Sequence, residues 1–275
     1  MYEKGNVTDV KISTDRRTLI TDMISGAVIE CDKRGKRRVF LEHSEMVEPW
    51  ASAFLSDGSI VVTSRKARVV YIFGPNGEFQ QTFGKNFFQR PCGVAVDKLD
   101  RIIVSDCLAG EVSVHDRSGT WLFNLRSTVS PAQQFSNPQY IHVTDKNIIV
   151  VSDTGNHSVK LFNDKGEFLK SFGKFGKEDG FLKSPHAVCS DSAGQLIVAD
   201  HYNDRVSLFS SDGEFRCHLL TSEDGLLHPQ GVILSTDGKM FVTHGQMKAN
   251  EVIVYKFQRK KRTFLEPNFM PLFDE

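Results

Sequence analysis

The chain has 275 residues, 34 Lys plus Arg against 34 Asp plus Glu, and therefore a formal net charge of zero. Hydrophobic residues make up 40% and charged residues 25%, an ordinary globular composition. These totals argue against a uniformly basic nucleic-acid coat and against a low-complexity chain, and they leave room for local basic patches. The opening Met1–Gly5 has no basic flank followed by an apolar run, so no secretory signal is expected. The longest aliphatic runs, Val69–Phe73 and Ile148–Val151, are strand-sized and too short to span a bilayer. Five cysteines with no Cys-x-x-Cys pair point to free thiols in a reducing compartment, the cytoplasm first.

One unit recurs along the chain. Its first slot holds Val7, Pro49, Pro91, Pro138, Pro185 and Pro229, and its second holds Asp22, Ser64, Asp106, Asp153, Asp200 and His244. The two slots are 15 residues apart in all six repeats. The third strand ends 9 residues after the second slot in repeats one to five, and repeat six carries two extra residues there. Successive first slots lie 42, 42, 47, 47 and 44 residues apart, a period that means a propeller or a solenoid. Helical solenoids are excluded because each unit consists of short β-branched runs between Asp-Gly, Asn-Gly and Ser-Gly turns. Four strands per unit form a sheet too small to bury both of its faces. Six such sheets set radially bury one another. The expected fold is thus all-β: a six-bladed propeller with four-stranded antiparallel blades over residues 1–267, followed by a tail over 268–275. The last blade is expected to take its fourth strand from Arg262–Glu266, which leaves blades one and six joined by face packing.

The unit lacks the WD dipeptide and the kelch Gly-Gly pair. Asn156-His157 and the phrase Phe162-Asn-Asp-Lys-Gly-Glu-Phe168 through Phe172-Gly173 resemble the NHL repeat. The resemblance runs from residue 5 to about 267. It is closest to the propeller that ends tripartite-motif proteins, whose RING, B-box and coiled-coil modules have no counterpart here. The resemblance implies a recognition platform without catalytic residues, cofactor or metal, with a protein partner expected first and RNA second. Any ubiquitin-ligase activity would belong to a RING outside this sequence.

By the geometry of such propellers, the loops before the first slot and after the second share a top face. That face is expected to carry Arg65, Lys66, Arg68, Arg90, Lys183 and Arg205 with His157, His186, His201 and Tyr202. Basic and ring side chains of this kind neutralise phosphates and stack bases, although Glu111, Asp204 and Glu251 dilute the charge. A second cluster combines Arg16, Arg17, Lys33, Arg34, Lys36, Arg37 and Arg38 with Arg259, Lys260, Lys261 and Arg262 at the seam between blades one and six.

Enzymatic readings are weaker. The second-slot aspartates are expected to hydrogen-bond loop backbone rather than hold a metal. His142, His186 and His228 raise a zinc lyase, yet no ligand spacing accompanies them. A calcium lactonase needs axial carboxylates where the first strands offer Val, Ala, Ile and Cys. Cys31 and Cys189 are expected in the core and Cys92 and Cys107 in exposed top loops. Phe168, Phe172, Phe209 and Phe215 are expected to be packing aromatics.

Overall fold

The computed structural model describes residues 6–13, 17–32, 36–126, 134–245, 251–256 and 268–271. Among these, six separate four-stranded antiparallel sheets follow one another in chain order as the blades of a six-bladed propeller. The innermost strands are Val7–Ile12, Pro49–Phe54, Pro91–Val96, Pro138–Val143, Pro185–Ser190 and Val232–Leu234. The sixth begins three residues beyond Pro229, which lies in the approach to it.

The 15-residue spacing is a register. Val7 pairs with Asp22, Pro49 with Ser64, Pro91 with Asp106, Pro138 with Asp153 and Pro185 with Asp200. Each of these five ladders then slips beside its first pair, a β-bulge at the same place in blades one to five. A bulge leaves one residue unpaired and re-aims its side chain. The bulged segments carry Thr8, Trp50, Cys92, Gln139 and His186, one per blade.

Blades are joined by two devices. Near the axis, hydrogen bonds step between neighbours: Thr8 Oγ1 donates to Trp50 O (2.7 Å), Thr63 Oγ1 to Cys92 O, and Thr154 Oγ1 to Pro185 O (2.7 Å). Tyr140 of blade four donates its hydroxyl across the axis to Thr8 O of blade one. At the rim, the turn glycine of one blade sits under an aromatic of the preceding blade. A Cβ on Gly119 would lie 2.3 Å from the Phe83 ring, one on Gly166 2.8 Å from Phe123, and one on Gly213 2.4 Å from Phe172. All three glycines have φ near +80 to +90° (89°, 79° and 78°), where a Cβ is strained in any case. The Gly-x-Phe phrase of the sequence is thus one half of a blade-to-blade joint. Phe209 is fully buried in it, 4.7 Å from Phe172, whereas Phe168, Phe172 and Phe215 are only half-buried at the blade edges.

This joint makes a prediction with its own control. Gly213→Ala should destabilise the protein by about 1–3 kcal/mol, through the left-handed backbone plus displacement of Phe172. Gly225, with φ +78° and nothing within 4 Å of an added methyl, carries the backbone part alone. Urea midpoints should therefore fall further for Gly213→Ala than for Gly225→Ala. Equal losses would mean that the Phe172 contact contributes nothing.

The ring closes by packing of faces. Val7, Val10, Ile20 and Cys31 of blade one form one buried cluster with Val252 of blade six, flanked by Ile233 and Phe241. Among the described residues the two blades share no sheet. The fourth strand of blade six comes from the C-terminal end as Asn268–Pro271, while the expected Arg262–Glu266 falls outside the described residues. The sheet therefore extends past residue 267 into the segment expected as a tail. The extra residues of repeat six give no composition signal for where pairing resumes, and only the pairing with Glu251–Val254 sets it.

Candidate functional site: the top mouth of the propeller

The top face is built around the second-slot aspartates. Asp106 accepts from the backbone N–H of Gln89 and Arg90 in the loop before Pro91, and from Leu108 and Ala109 in the loop after it. Asp22 accepts from Asn6 and Ile24, Asp153 from Ser136, and Asp200 from Lys183. Each carboxylate ties loop backbone to its own strand end, so the array is a set of loop clamps. The loops then turn back through a left-handed residue four positions on: Gly26, Arg68, Gly110, His157 and Asp204 have φ of 70, 58, 68, 54 and 50°. His157 of the Asn-His pair holds its place by accepting Ser184 N–H at Nδ1 (3.0 Å).

Two clamps carry a buried cation. Lys160 Nζ lies 2.7 Å from Asp153 Oδ2. Arg205 pairs with Asp200 (Nε to Oδ2, 2.8 Å), and its remaining donors reach Lys177 O, Glu178 O, Phe181 O and His218 Nε2. The expectation that Arg205 stands on the binding surface is corrected here. It is buried with its guanidinium engaged on all three nitrogens, so it pins the loop before Pro185 instead of meeting a ligand. Burial pushes the Asp200 carboxyl up, opposed by the hydrogen bonds from Lys183, Asn203 and Arg205.

The bulge residues and those that follow the second slot meet at the mouth of the axis. The Arg65 guanidinium lies 3.8 Å over the Trp50 ring. Trp50 is 6.3 Å from Tyr140, and Tyr140 is 5.8 Å from His186. His186 stacks on His201 at 4.1 Å, and His201 is 4.6 Å from Tyr202 and 5.1 Å from His228. Arg65, His186 and His201 are buried, while Tyr202 is 52% exposed. Burial and the neighbouring His201 and Arg65 push the His186 ring well below its ordinary pKa, so it is neutral at pH 7. Several buried polar atoms here have no hydrogen-bond partner: Trp50 Nε1, Gln139 Oε1, His186 Nδ1 and Gln230 Oε1. Such atoms are rare inside proteins and costly unless something binds them.

Lys66, Arg68 and Arg90 are exposed and Lys183 is half-buried. Beside them stand Phe87, Leu108 and Phe175, exposed by 46, 64 and 63% on the same loops. Cys92 and Cys107 correct the expectation of exposed thiols, since both are buried. Cys92 sits in the bulge of an innermost strand and Cys107 lies under Arg65. Cys31 and Cys189 are buried as expected.

The three histidines of the zinc reading do not converge. His142 lies at the other end of its strand, bonded to Ser190 Oγ at 2.8 Å, far along the axis from His186 and His228 at the mouth. Among the described residues, no three of His, Cys, Asp or Glu come together as metal ligands. Of the basic seam, Arg17 reaches toward blade two, donating to Pro75 O (2.9 Å), and Arg38 pairs with Glu30. Lys36 and Arg37 lie on the same edge, and Arg16, Lys33, Arg34, Arg259, Lys260, Lys261 and Arg262 fall outside the described residues.

Residues 182–209, which span the fifth blade from its clamp loop to its third strand, match the sequence pattern of the NHL repeat. The chain carries an NHL repeat. The match covers Asp200, Asn203 and Arg205, the clamp described above. The chain is 30% identical over 124 residues to "Protein brain tumor" of Drosophila melanogaster, which covers 44% of this chain and 12% of that protein. It is 33% identical over 126 residues to "B-box type zinc finger protein ncl-1" of Caenorhabditis elegans, which covers 45% of this chain and 14% of that protein. The chain thus spans a small part of the length of these relatives. Among solved structures it superposes on virginiamycin B lyase from Staphylococcus aureus with a TM-score of 0.73, over 99% of this chain and 86% of that one. The identity there is 12%, which shows a shared fold.

Trp50, Cys107, Tyr140 and Gln139 escape a reading of the sequence for basic and ring side chains in the top loops. The signal is nonetheless present in the repeat frame. The position after the first slot reads Thr8, Trp50, Cys92, Gln139, His186 and Gln230, and that after the second reads Met23, Arg65, Cys107, Thr154, His201 and Gly245. Positions that diverge between repeats while their neighbours persist are the ones free to specialise.

Proposed function

We propose that this NHL-repeat propeller is a non-catalytic recognition domain that holds a protein partner on its top face. One observation carries the reading: exposed Phe87, Leu108, Phe175 and Tyr202 surround a mouth whose floor holds buried polar atoms without partners. Apolar anchors around unmet hydrogen-bonding groups are what a docked peptide segment covers. Similarity to a B-box type zinc finger protein supports a place beside tripartite-motif modules, where a ligase activity would lie outside this chain. Absence of catalytic chemistry and residence in the cytoplasm belong to the same proposal.

RNA is the second reading, favoured by Lys66, Arg68 and Arg90 at the surface beside the rings. The two separate on one experiment. Tyr202→Ala with Phe175→Ala should abolish capture of a defined protein set from nuclease-treated cytoplasmic extract, with the fold unchanged by circular dichroism. Retention of that set by the double variant would move the site off the top face. If capture instead depends on intact RNA, Lys66→Glu and Arg68→Glu should each flatten the log–log salt dependence by about 0.7.

A further inference from the structure

Arg65 is a buried charge in an unusual position. Its blade has Ser64 where four of the other five have a carboxylate, and the Ser64 hydroxyl is spent on Val47 O. Arg65 is 8% exposed and stacks on Trp50, and its Nε has no acceptor. Among the described residues, its guanidinium donates to the Cys107 sulfur, at 3.5 Å. Buried charges are paired, and Cys107 is the group beside Arg65 able to become an anion. Cys92 follows Pro91, which pairs with Asp106, and the Cys107 N–H donates to Arg90 O at 3.1 Å, so the two cysteines sit beside one another on neighbouring strand ends.

We propose that Cys107 is a thiolate held as the counter-ion of Arg65 and that it is an oxidation site for hydroperoxides, with Cys92 as the thiol that resolves it. The Cys107 thiolate attacks the outer peroxide oxygen. The O–O bond breaks, an S–O bond forms, and the alkoxide or hydroxide leaves and takes a proton from water. The sulfur is oxidised to a sulfenic acid and the peroxide is reduced to an alcohol or water. Cys92 sulfur then attacks Cys107 sulfur, the S–O bond breaks, and the hydroxide leaves with the Cys92 proton as water. The sum is two thiols and one hydroperoxide giving a disulfide, an alcohol and water.

The charges agree with these roles. The neighbouring Cys92 thiol draws the Cys107 thiol down, against burial, and Arg65 and Arg90 draw it further. Burial pushes Cys92 up, which keeps it a thiol until the sulfenic acid forms. The site is also placed to matter, because an uncharged Cys107 would leave Arg65 unpaired in the floor of the mouth.

The test uses the whole chain, hydrogen peroxide and a dimedone trap, with half-buried Cys217 as the internal reference. At pH 7 iodoacetamide should label Cys107 on the order of tenfold faster than Cys217, and Arg65→Gln should remove that advantage. Peroxide should join the Cys92 and Cys107 peptides by a disulfide in the parent, and Cys92→Ser should instead accumulate a dimedone adduct on Cys107. Labelling of Cys107 no faster than Cys217, or an unchanged rate in Arg65→Gln, would overturn the thiolate. A persistent Cys107 adduct in the parent, without the disulfide, would overturn the role of Cys92. Because the parent and Arg65→Gln are read directly, the result does not depend on which partner the top face takes.

Discussion

Replacing Arg205 with alanine is expected to lower the free energy of unfolding by about 3–5 kcal/mol, read from urea or thermal transitions. The loss is large because Asp200 stays behind, fully buried, with Lys183 N–H and Asn203 as its remaining partners. The carbonyls of Lys177, Glu178 and Phe181 lose their donors at the same time. Arg205→Lys keeps the charge and loses the fork, so it should fall between the parent and alanine. Asp200→Asn with Arg205→Met removes both charges and should recover part of the loss. Hydrogen exchange should rise across 174–183, the loop that presents Phe175. A loss under about 1 kcal/mol for Arg205→Ala, the scale of an exposed ion pair, would mean that the loop is held by other contacts.

Acid should destabilise the protein well above the range in which ordinary carboxylates titrate. His142 is the sharpest case: burial, with Lys11 adding repulsion, pushes its pKa from 6.5 down to about 3. His186 is pushed well below 6.5, and His115 and His201 are lowered too, in each case mainly by burial. Above about pH 6.5 both folded and unfolded chains hold these rings neutral, and the fold keeps its full stability. As pH falls below 6.5 the unfolded chain takes up protons that the folded chain refuses. Stability is then lost toward pH 3, by at most about 1.4 kcal/mol per pH unit for His142 alone. Asp9 and Asp200 act in the opposite sense, since burial raises both carboxyls and the folded state holds their protons longer. The difference between the parent and His142→Asn isolates the histidine. Between about pH 7 and 5 the variant should lose less stability than the parent, and parallel curves would show that His142 is protonated in the folded protein.

The sequence by itself determined the ring. A 15-residue interval kept six times in the sequence is the register of the inner strand pair in five of the blades, and backbone pairing is a property of spacing, which residue order carries directly. The aspartate clamps were legible for the same reason, because each bonds to atoms within its own repeat or the loop just before it. The closing strand is described at Asn268–Pro271, beyond the expected Arg262–Glu266, since pairing with Glu251–Val254 depends on a partner and not on local turn signals. Only the tertiary structure decided the site. Arg205 reads as a surface cation until Asp200 and three carbonyls of a preceding loop enclose it. Cys107, Arg65 and Trp50 lie in three different strands or loops of two blades, and Tyr140 meets Thr8 across 132 residues. The repeat fixes where each side chain leaves its own blade. What it meets there depends on how neighbouring blades pack around the axis, and contacts of that kind have no period in the sequence.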